Sequence, residues 1–473
     1  MVPVASYAKQ KVVVFGLGKS GLSAARALGA GGAAVKAWDD ASERRDAALA
    51  AGVPLDDPLA LDWSKVAALV LSPGVPFTHP EPHPVVRRAV AAGVKILPEV
   101  ELLQSAMPDA LYVGVTGTNG KSTTTALIGH LLERQGYEVQ VGGNIGTPAL
   151  DLEPFAGRGT YVLELSSYQL DLARSLAFDV AVLLNVTPDH LDRHGDMSGY
   201  ITAKRKIFRF RRPDGTAIIG VDDEYTRGVY EDLLARGDCR VLAISTTDSV
   251  ADGVYVSDGL LHEAKDGGAA PVVNLTPAKG LPGQHNWQNA AAAFAAATAL
   301  GVPSASAGGA LISFPGLAHR IERIATIEGI AFVNDSKATN ADAAAKALAC
   351  FDHIYWIVGG RAKPGGVSGL EPLYPRIAHA LLIGEAADEI AKALEGNLPY
   401  RRCGTLDRAV AEAYALARAG RRPDPVVLLS PACASFDQFE NFEARGEAFR
   451  REVKELEAAG GRGHSAPLRS AVP

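Results

Sequence analysis

Tyr112-Val113-Gly114-Val115-Thr116-Gly117-Thr118-Asn119-Gly120-Lys121-Ser122-Thr123 runs from an apolar strand pattern through a glycine-rich turn into a helical pattern carried by Ala126, Leu127 and Leu131. Glycines at such a junction let backbone N–H groups approach an anion, and the helix N-terminus adds partial positive charge. Lys121 is placed to reach the β- and γ-phosphates of a nucleotide, and Ser122 or Thr123 to offer a hydroxyl to Mg²⁺. The general pattern G-x-x-x-x-G-K-[ST] asks for glycine at position 115; Val115 stands there, and the glycine is Gly114. A glycine turn that merely joins strand to helix is the bland alternative.

Outward from this loop, short Val/Ile/Leu runs alternate with longer helical patterns, as expected of strands covered on both faces by crossover helices. The fold class is therefore α/β. At about 150 residues per domain, 473 residues allow roughly three domains. The runs fall into three groups. Val12–Phe15, Ala34–Trp38, Ala68–Leu71 and Lys95–Leu97 form the first. Tyr112–Val115, Tyr161–Leu165, Val180–Asn185, Ala217–Gly220 and Arg240–Ser245 form the second, which ends after an alanine-rich helix beginning near Asn286. Ile330–Val333, Ile354–Val358, Ala380–Ile383 and Val426–Leu429 form the third, also expected to be a parallel sheet. Leu97–Glu99 and Ser313–Leu317 are the expected linkers, giving domains 1–99, 100–314 and 315–473. The Gly/Ser/Pro/Arg-rich end, about 458–473, is expected to fray.

Composition narrows the function classes. Hydrophobic residues at 47% and charged residues at 21% exclude fibrous and wholly disordered chains. A net charge of −6 and the lack of a basic tract argue against a nucleic-acid partner, while leaving a small anionic ligand open. Cys239, Cys350, Cys403 and Cys433 are scattered, the pattern of reduced thiols rather than a zinc site or disulfide framework. The N-terminal stretch has no export pattern, and the longest apolar run, Ala290–Val302, is shorter than the about 20 residues a membrane helix needs. A cytoplasmic location and no membrane span are expected.

Four further features bear on chemistry. Gly16-Leu17-Gly18-Lys19-Ser20-Gly21 is a G-x-G-x-x-G turn after a strand, with Asp39 about 20 residues on and Ser72-Pro73-Gly74 closing another strand. It suits a nucleotide or, more plainly, close helix packing. Glu164 lies inside an apolar strand, where a carboxylate is costly unless it binds a cation or is paired. His190, between Asp189 and Asp192, is a ligand or proton-donor candidate against a structural histidine. Lys204 looks, on pattern alone, like an ordinary helix-surface lysine.

Eight motifs resemble, in order, those of the Mur ligase family. They are Gly117–Thr123, Gly143–Gly146, Glu164–Leu170, Asn185–Asp192, Gly283–Asn286, Ala318–Glu322, Asn334–Asn340 and Ser430–Asp437, within a match running from Gly16 to about Leu456. The resemblance implies an N-terminal Rossmann-like open sheet for UDP, a central P-loop ATPase-type sheet and a C-terminal Rossmann-like domain for the amino acid. It implies an ADP-forming acid–D-amino-acid ligase of peptidoglycan precursor synthesis, joining D-glutamate to UDP-N-acetylmuramoyl-L-alanine through an acyl phosphate. ATP and two Mg²⁺ ions are the implied cofactors, and a monomer is expected.

By the same resemblance, Lys121, His190, Lys204 and Lys337 are catalytic. ATP falls to Gly117, Thr118, Asn119, Gly120, Lys121, Ser122, Thr123, Asn286, Asn289, Arg320 and Asp335. Metal falls to Ser122, Glu164, His190 and Lys204, the last as a carbamate. The UDP-sugar falls to Gly16, Gly18, Lys19, Ser20, Asp39, Ser72 and Asn144, and D-glutamate to Lys337, Thr339, Lys363, Ser435, Phe436 and Phe442. After Asp39 the family tends to carry threonine and arginine; here Asp40 and Ala41 follow. The Asp-Asn-Pro-Arg signature of the relative that adds diaminopimelate or lysine is absent, favouring glutamate. The rival readings are a nicotinamide-dependent dehydrogenase built on Gly16–Gly21, a non-enzymatic ATP-driven switch, and, within the family, the L-alanine-adding ligase or folylpolyglutamate synthases.

Overall fold

The computed structural model describes residues 1–363 and 365–460. Their contacts divide the chain into one unit of Met1–Pro277 with Gln284–Phe314, and a second of Ala278–Gly283 with the chain from Pro315 on. Among the described residues the main strands form three sheets.

The first sheet comprises β1 (Lys11–Phe15), β2 (Ala34–Trp38), β3 (Val66–Leu71) and β4 (Lys95–Leu97), all parallel in the order β2-β1-β3-β4. Val12, Val13 and Val14 are all buried, so both faces of β1 are covered and no polar alternation is needed. The order reverses between β1 and β3, where open sheets form their ligand crevice. The Gly16 turn follows one of these strands and Ser72 the other.

The second sheet, in the same unit, comprises β5 (Leu111–Thr116), β6 (Val139–Gly143), β7 (Thr160–Glu164), β8 (Ala177–Leu183), β9 (Phe210–Gly220), β10 (Arg240–Ser245), β11 (Gly253–Ser257), β12 (Leu260–Lys265) and β13 (Gly268–Asn274). Its order is β13-β12-β11-β10-β9-β8-β5-β7-β6. β5 lies between β7 and β8, parallel to both, so the loop after Thr116 opens beside the ends of those two strands. One apolar cluster joins the two sheets of this unit, with Val14 and Leu28 from the first, Tyr112 and Tyr161 from the second, and Leu103 on the connecting helix Glu99–Ala106.

The third sheet belongs to the second unit: β14 (Glu322–Ile327), β15 (Ile330–Asn334), β16 (Ile354–Gly359), β17 (Ile377–Ile383), β18 (Tyr400–Gly404) and β19 (Val426–Leu429), in the order β14-β15-β19-β16-β17-β18. The four strands expected here pair parallel, and β14, not among them, is the exception. β14 runs antiparallel to β15 through the turn at Glu328 and Gly329, both at positive φ. Likewise β11–β13, absent from the sequence reading, form an antiparallel meander at the end of the second sheet, turning at Asp258-Gly259 and Asp266-Gly267. The tail expected to fray is helical through Gly460 and from 461 onward lies outside the described residues.

The glycines of the first loop differ in what they permit. A Cβ on Gly21 would lie 1.7 Å from the Gly16 carbonyl oxygen, whereas one on Gly18 meets nothing within 4 Å. Gly21 therefore lets the helix Lys19–Ala30 press on the turn, and Gly18 leaves open approach above it. We expect G21A to destabilise the first unit by at least about 2 kcal/mol and G18A by less than about 0.5 kcal/mol, as read by denaturant unfolding.

Candidate active site

Three adjacent strand ends build the site of the first unit. β5 runs into Gly117–Gly120, β7 ends at Glu164, and β8 leads to Asn185. The loop closes onto the helix Lys121–Glu133 with Gly120 at φ 84°, and a Cβ there would lie 2.1 Å from Asn289 Oδ1. Glycine is thus required both by conformation and by space. Asn289 also accepts from Thr124 Oγ1 at 3.2 Å and donates to Asn286 Oδ1 at 2.9 Å, so both expected nucleotide-binding asparagines pack behind the loop.

Lys121 Nζ donates to the carbonyls of Gly117 (3.0 Å) and Thr118 (2.7 Å). Lys204 Nζ donates to the same Gly117 carbonyl at 2.8 Å. Lys204 is only 1% exposed, which overturns its reading as a surface lysine. In the helix Met197–Arg205, Tyr200, Ala203 and Lys204 share the buried face, and the Lys204 ammonium lies 4.6 Å from the Tyr200 ring centre. Burial, reinforced by the Lys121 charge, pushes the Lys204 amine well below its ordinary value.

Glu164 is 3% exposed and accepts from Ser122 Oγ at 2.6 Å and from Asn144 Nδ2 at 2.7 Å. The expected alternative, a buried ion pair, is replaced by two neutral donors. Among the described residues no three His, Cys, Asp or Glu side chains gather as a metal site. A hydroxyl and a carboxylate side by side still suit Mg²⁺, which commonly takes one or two carboxylates and completes its shell with phosphate oxygens and water. Asn144, expected at the sugar, has its amide committed to Glu164.

His190 stands apart from this cluster in its contacts. It takes a left-handed conformation, φ 54°, before the turn Leu191–His194, with Asp189 Oδ2 at 3.3 Å and the Tyr168 ring at 5.1 Å. Arg193, which the sequence reading passed over, stacks its guanidinium on that same Tyr168 ring and donates to the carbonyls of Pro73, Gly74 and Val75. It ties the loop after β3 to the residues around His190.

In the first sheet, Ser72 Oγ donates to the Gly16 carbonyl at 2.7 Å. Asp39 accepts from the backbone N–H of Leu17 (2.6 Å) and Ala41 (2.9 Å) and from Arg44. Burial pushes the Asp39 carboxyl up, but these donors outweigh it and hold the group below the usual range. Both side chains shape the glycine turn. Lys19 is exposed and Ser20 half-buried beside it.

In the second unit, Asp335 follows β15 and Ser430 follows the adjacent β19, and Ser430 Oγ donates to Asp335 at 2.8 Å. Lys337 Nζ lies 3.9 Å from the Phe442 ring centre, and the Thr339 N–H donates to the Lys337 carbonyl. Ser435 is buried on the loop after β19, Lys363 is exposed on the loop after β16, and these loops pair through Arg361 and Ala434. Phe436 is 64% exposed, and Arg320 is exposed as well. Arg445, also unflagged by sequence, is fully buried and donates to Ser336 Oγ, the Ser336 carbonyl and the Cys433 carbonyl at 2.9–3.1 Å. It fastens the Asp335–Lys337 loop to the Ser430–Ser435 loop.

Three family models match: "Mur ligase MurD-like, N-terminal domain" over residues 10–98, "Mur ligase middle domain" over 115–297, and "Mur ligase, glutamate ligase domain" over 319–433. The chain belongs to the Mur ligase family. Among similar relatives in that family, the UDP-N-acetylmuramoylalanine--D-glutamate ligase of Paramagnetospirillum magneticum is 52% identical over 97% of this chain and 100% of its own length. The protein of the same name from Caulobacter vibrioides is 52% identical over 98% and 99%. The solved UDP-N-acetylmuramate-alanine ligase of Thermotoga maritima shares the Mur ligase fold, with TM-score 0.55, 18% identity, and 95% of this chain and 99% of that one covered.

Burial pushes the Asp335 carboxyl up to about 7 despite its hydrogen bonds from Ser430 and the Ile321 N–H and the charges of Arg320 and Arg445. The folded state then binds a proton that the unfolded state releases near 3.8, so this group's stabilising share is intact below pH 4 and is lost as pH rises through about 7. D335N lacks that loss. Its stability relative to the parent should climb by up to about 1.4 kcal/mol per pH unit between pH 4 and 7, then level off. Paired denaturant melts across pH test this; a flat difference would refute the buried, proton-holding carboxyl.

Proposed function

We propose that this Mur ligase joins D-glutamate to UDP-N-acetylmuramoyl-L-alanine at the expense of ATP, releasing ADP and phosphate, in peptidoglycan precursor synthesis. The near full-length relatives carry that substrate pair in their name. The observation that carries the chemistry is Lys121 held on the glycine loop beside the Ser122–Glu164 pair, which suits a cation, with buried Lys204 on the same loop carbonyl. A carboxylate and a triphosphate repel each other, so activation needs dense positive charge where they meet.

In this reading the sugar nucleotide's carboxylate oxygen attacks the γ-phosphorus and ADP departs. The amine of D-glutamate then attacks the acyl carbon, and phosphate leaves as the amide forms. Gly117–Thr123 cradle the phosphates, Lys121 offsets their charge, and Asn286, Asn289, Arg320 and Asp335 complete the nucleotide contacts. Mg²⁺, when bound, neutralises phosphate oxygens; Ser122 and Glu164 would hold one ion, and His190 with carbamylated Lys204 a second. Burial favours the neutral amine of Lys204; carbamylation would join that amine nitrogen to CO₂ with release of one proton, giving an anionic oxygen ligand. Gly16, Gly18, Lys19, Ser20, Asp39, Ser72 and Asn144 serve the UDP-sugar. Lys337, Thr339, Lys363, Ser435, Phe436 and Phe442 serve D-glutamate, whose two carboxylates call for cations and hydroxyl donors.

The enzyme is proposed to work as a cytoplasmic monomer on the domain division 1–99, 100–314 and 315–473. Among the described residues no helix is long and apolar enough to cross a membrane.

Phosphate release from ATP in the presence of UDP-N-acetylmuramoyl-L-alanine should depend on D-glutamate and stay at background with L-glutamate, L-alanine or L-lysine. Release indifferent to the amino acid would point to an ATP-driven switch instead. K204A should lose about a hundredfold or more in turnover, with partial recovery on adding a short carboxylate such as acetate; an unimpaired variant would remove Lys204 from the chemistry.

A further inference from the structure

The carbonyl oxygen of Asn185 accepts the Thr118 N–H at 2.8 Å, and its side chain grips the next residue at two points. Oδ1 accepts the Asn119 N–H at 2.9 Å, and Nδ2 donates to the Asn119 carbonyl at 3.3 Å. Nδ2 donates as well to Gln288 Oε1 at 2.8 Å, on the helix His285–Ala299. Gln288 in turn points Nε2 at Asp222 Oδ2, 3.4 Å away, just past the end of β9. Asp222 is held by Ser245 Oγ at 2.6 Å, by the Thr246 N–H and hydroxyl at 3.0 Å, and by Thr247 Oγ1 at 3.1 Å.

An ionised carboxylate only accepts, whereas an amide both donates and accepts. Asp222 therefore sets the direction of the whole row. It draws the amino end of Gln288, whose oxygen then faces Asn185, whose own amino end turns toward Gln288 and leaves its oxygen for the loop N–H. We infer that Asn185 and Gln288, oriented by Asp222, are positioning residues that set the shape of the phosphate loop before nucleotide arrives. Neither side chain needs to touch the phosphates. Their contribution is preorganisation, which removes from binding the cost of ordering a glycine-rich turn.

The inference rests on the reading of Gly117–Thr123 as the ATP loop, and the test separates the two. ATP affinity of the full chain is measured by calorimetry with Mg²⁺ present, alongside KM for the sugar nucleotide and for D-glutamate. We expect N185A to weaken ATP binding about tenfold and Q288A about threefold, magnitudes in keeping with the loss of one or two hydrogen bonds that hold the loop. The other two KM values should stay within about twofold. Because Gln288 acts on the loop through Asn185, the double variant should bind ATP no more weakly than N185A alone. Unchanged ATP affinity in N185A, multiplying effects in the double variant, or an equal rise in all three constants would each overturn the inference while the proposed function stands. A parent chain that binds no ATP would overturn both.

Discussion

The Gly117 carbonyl oxygen accepts from the Nζ atoms of both Lys121 and Lys204. Both nitrogens lie within 3.0 Å of one oxygen, so they are less than about 6 Å apart. At an effective dielectric of about 20, two charges so placed would repel by about 3 kcal/mol, and with burial this drives the Lys204 amine toward its neutral form. Lys204 is sealed from water, which removes the solvent that would soften the repulsion. The fold seats Lys204 on the same helix face as Tyr200 and Ala203, and the nearby Asp189 and Glu164 carboxylates only partly offset the lowering of its amine. A region so arranged favours the arrival of negative charge, which a triphosphate brings.

The second unit solves a different problem. The loops after β15 and β19 follow neighbouring strands. Arg445 supplies the anchor from the long helix Phe442–Gly460. Its guanidinium is satisfied by one hydroxyl and two backbone carbonyls. With no carboxylate bonded to it, burial lowers its basicity to about 10, which leaves it a cation at neutral pH.

How far the sequence could be read follows from how locally each feature is encoded. Strands such as Val12–Phe15 and Val426–Leu429 are covered on both faces, so they appear as unbroken apolar runs and were legible. β6 and β11–β13 lie toward the sheet's margins with mixed exposure, and their residues, such as Gln140, His262 and Glu263, blur the pattern. The Asp258-Gly259 and Asp266-Gly267 pairs did carry a hairpin signal that could have revealed the meander. Glu164 stood out because a carboxylate in an apolar strand is anomalous by itself. Lys204 did not, although Tyr200, Ala203 and Lys204 at spacings of three and four outline a buried face. Asn185, Gln288 and Arg445 were beyond reach because partners such as Asn119, Asn185 and Ser336 lie 66, 103 and 109 positions away, and only the fold brings them together.

The bracing by Arg445 also bears on how the exposed residues of these loops can vary. Because buried Arg445 fixes both loops, residues exposed on them, such as Phe436, are free to change without loosening the frame. Substitutions at such exposed positions therefore leave the buried contacts that hold the two loops in place.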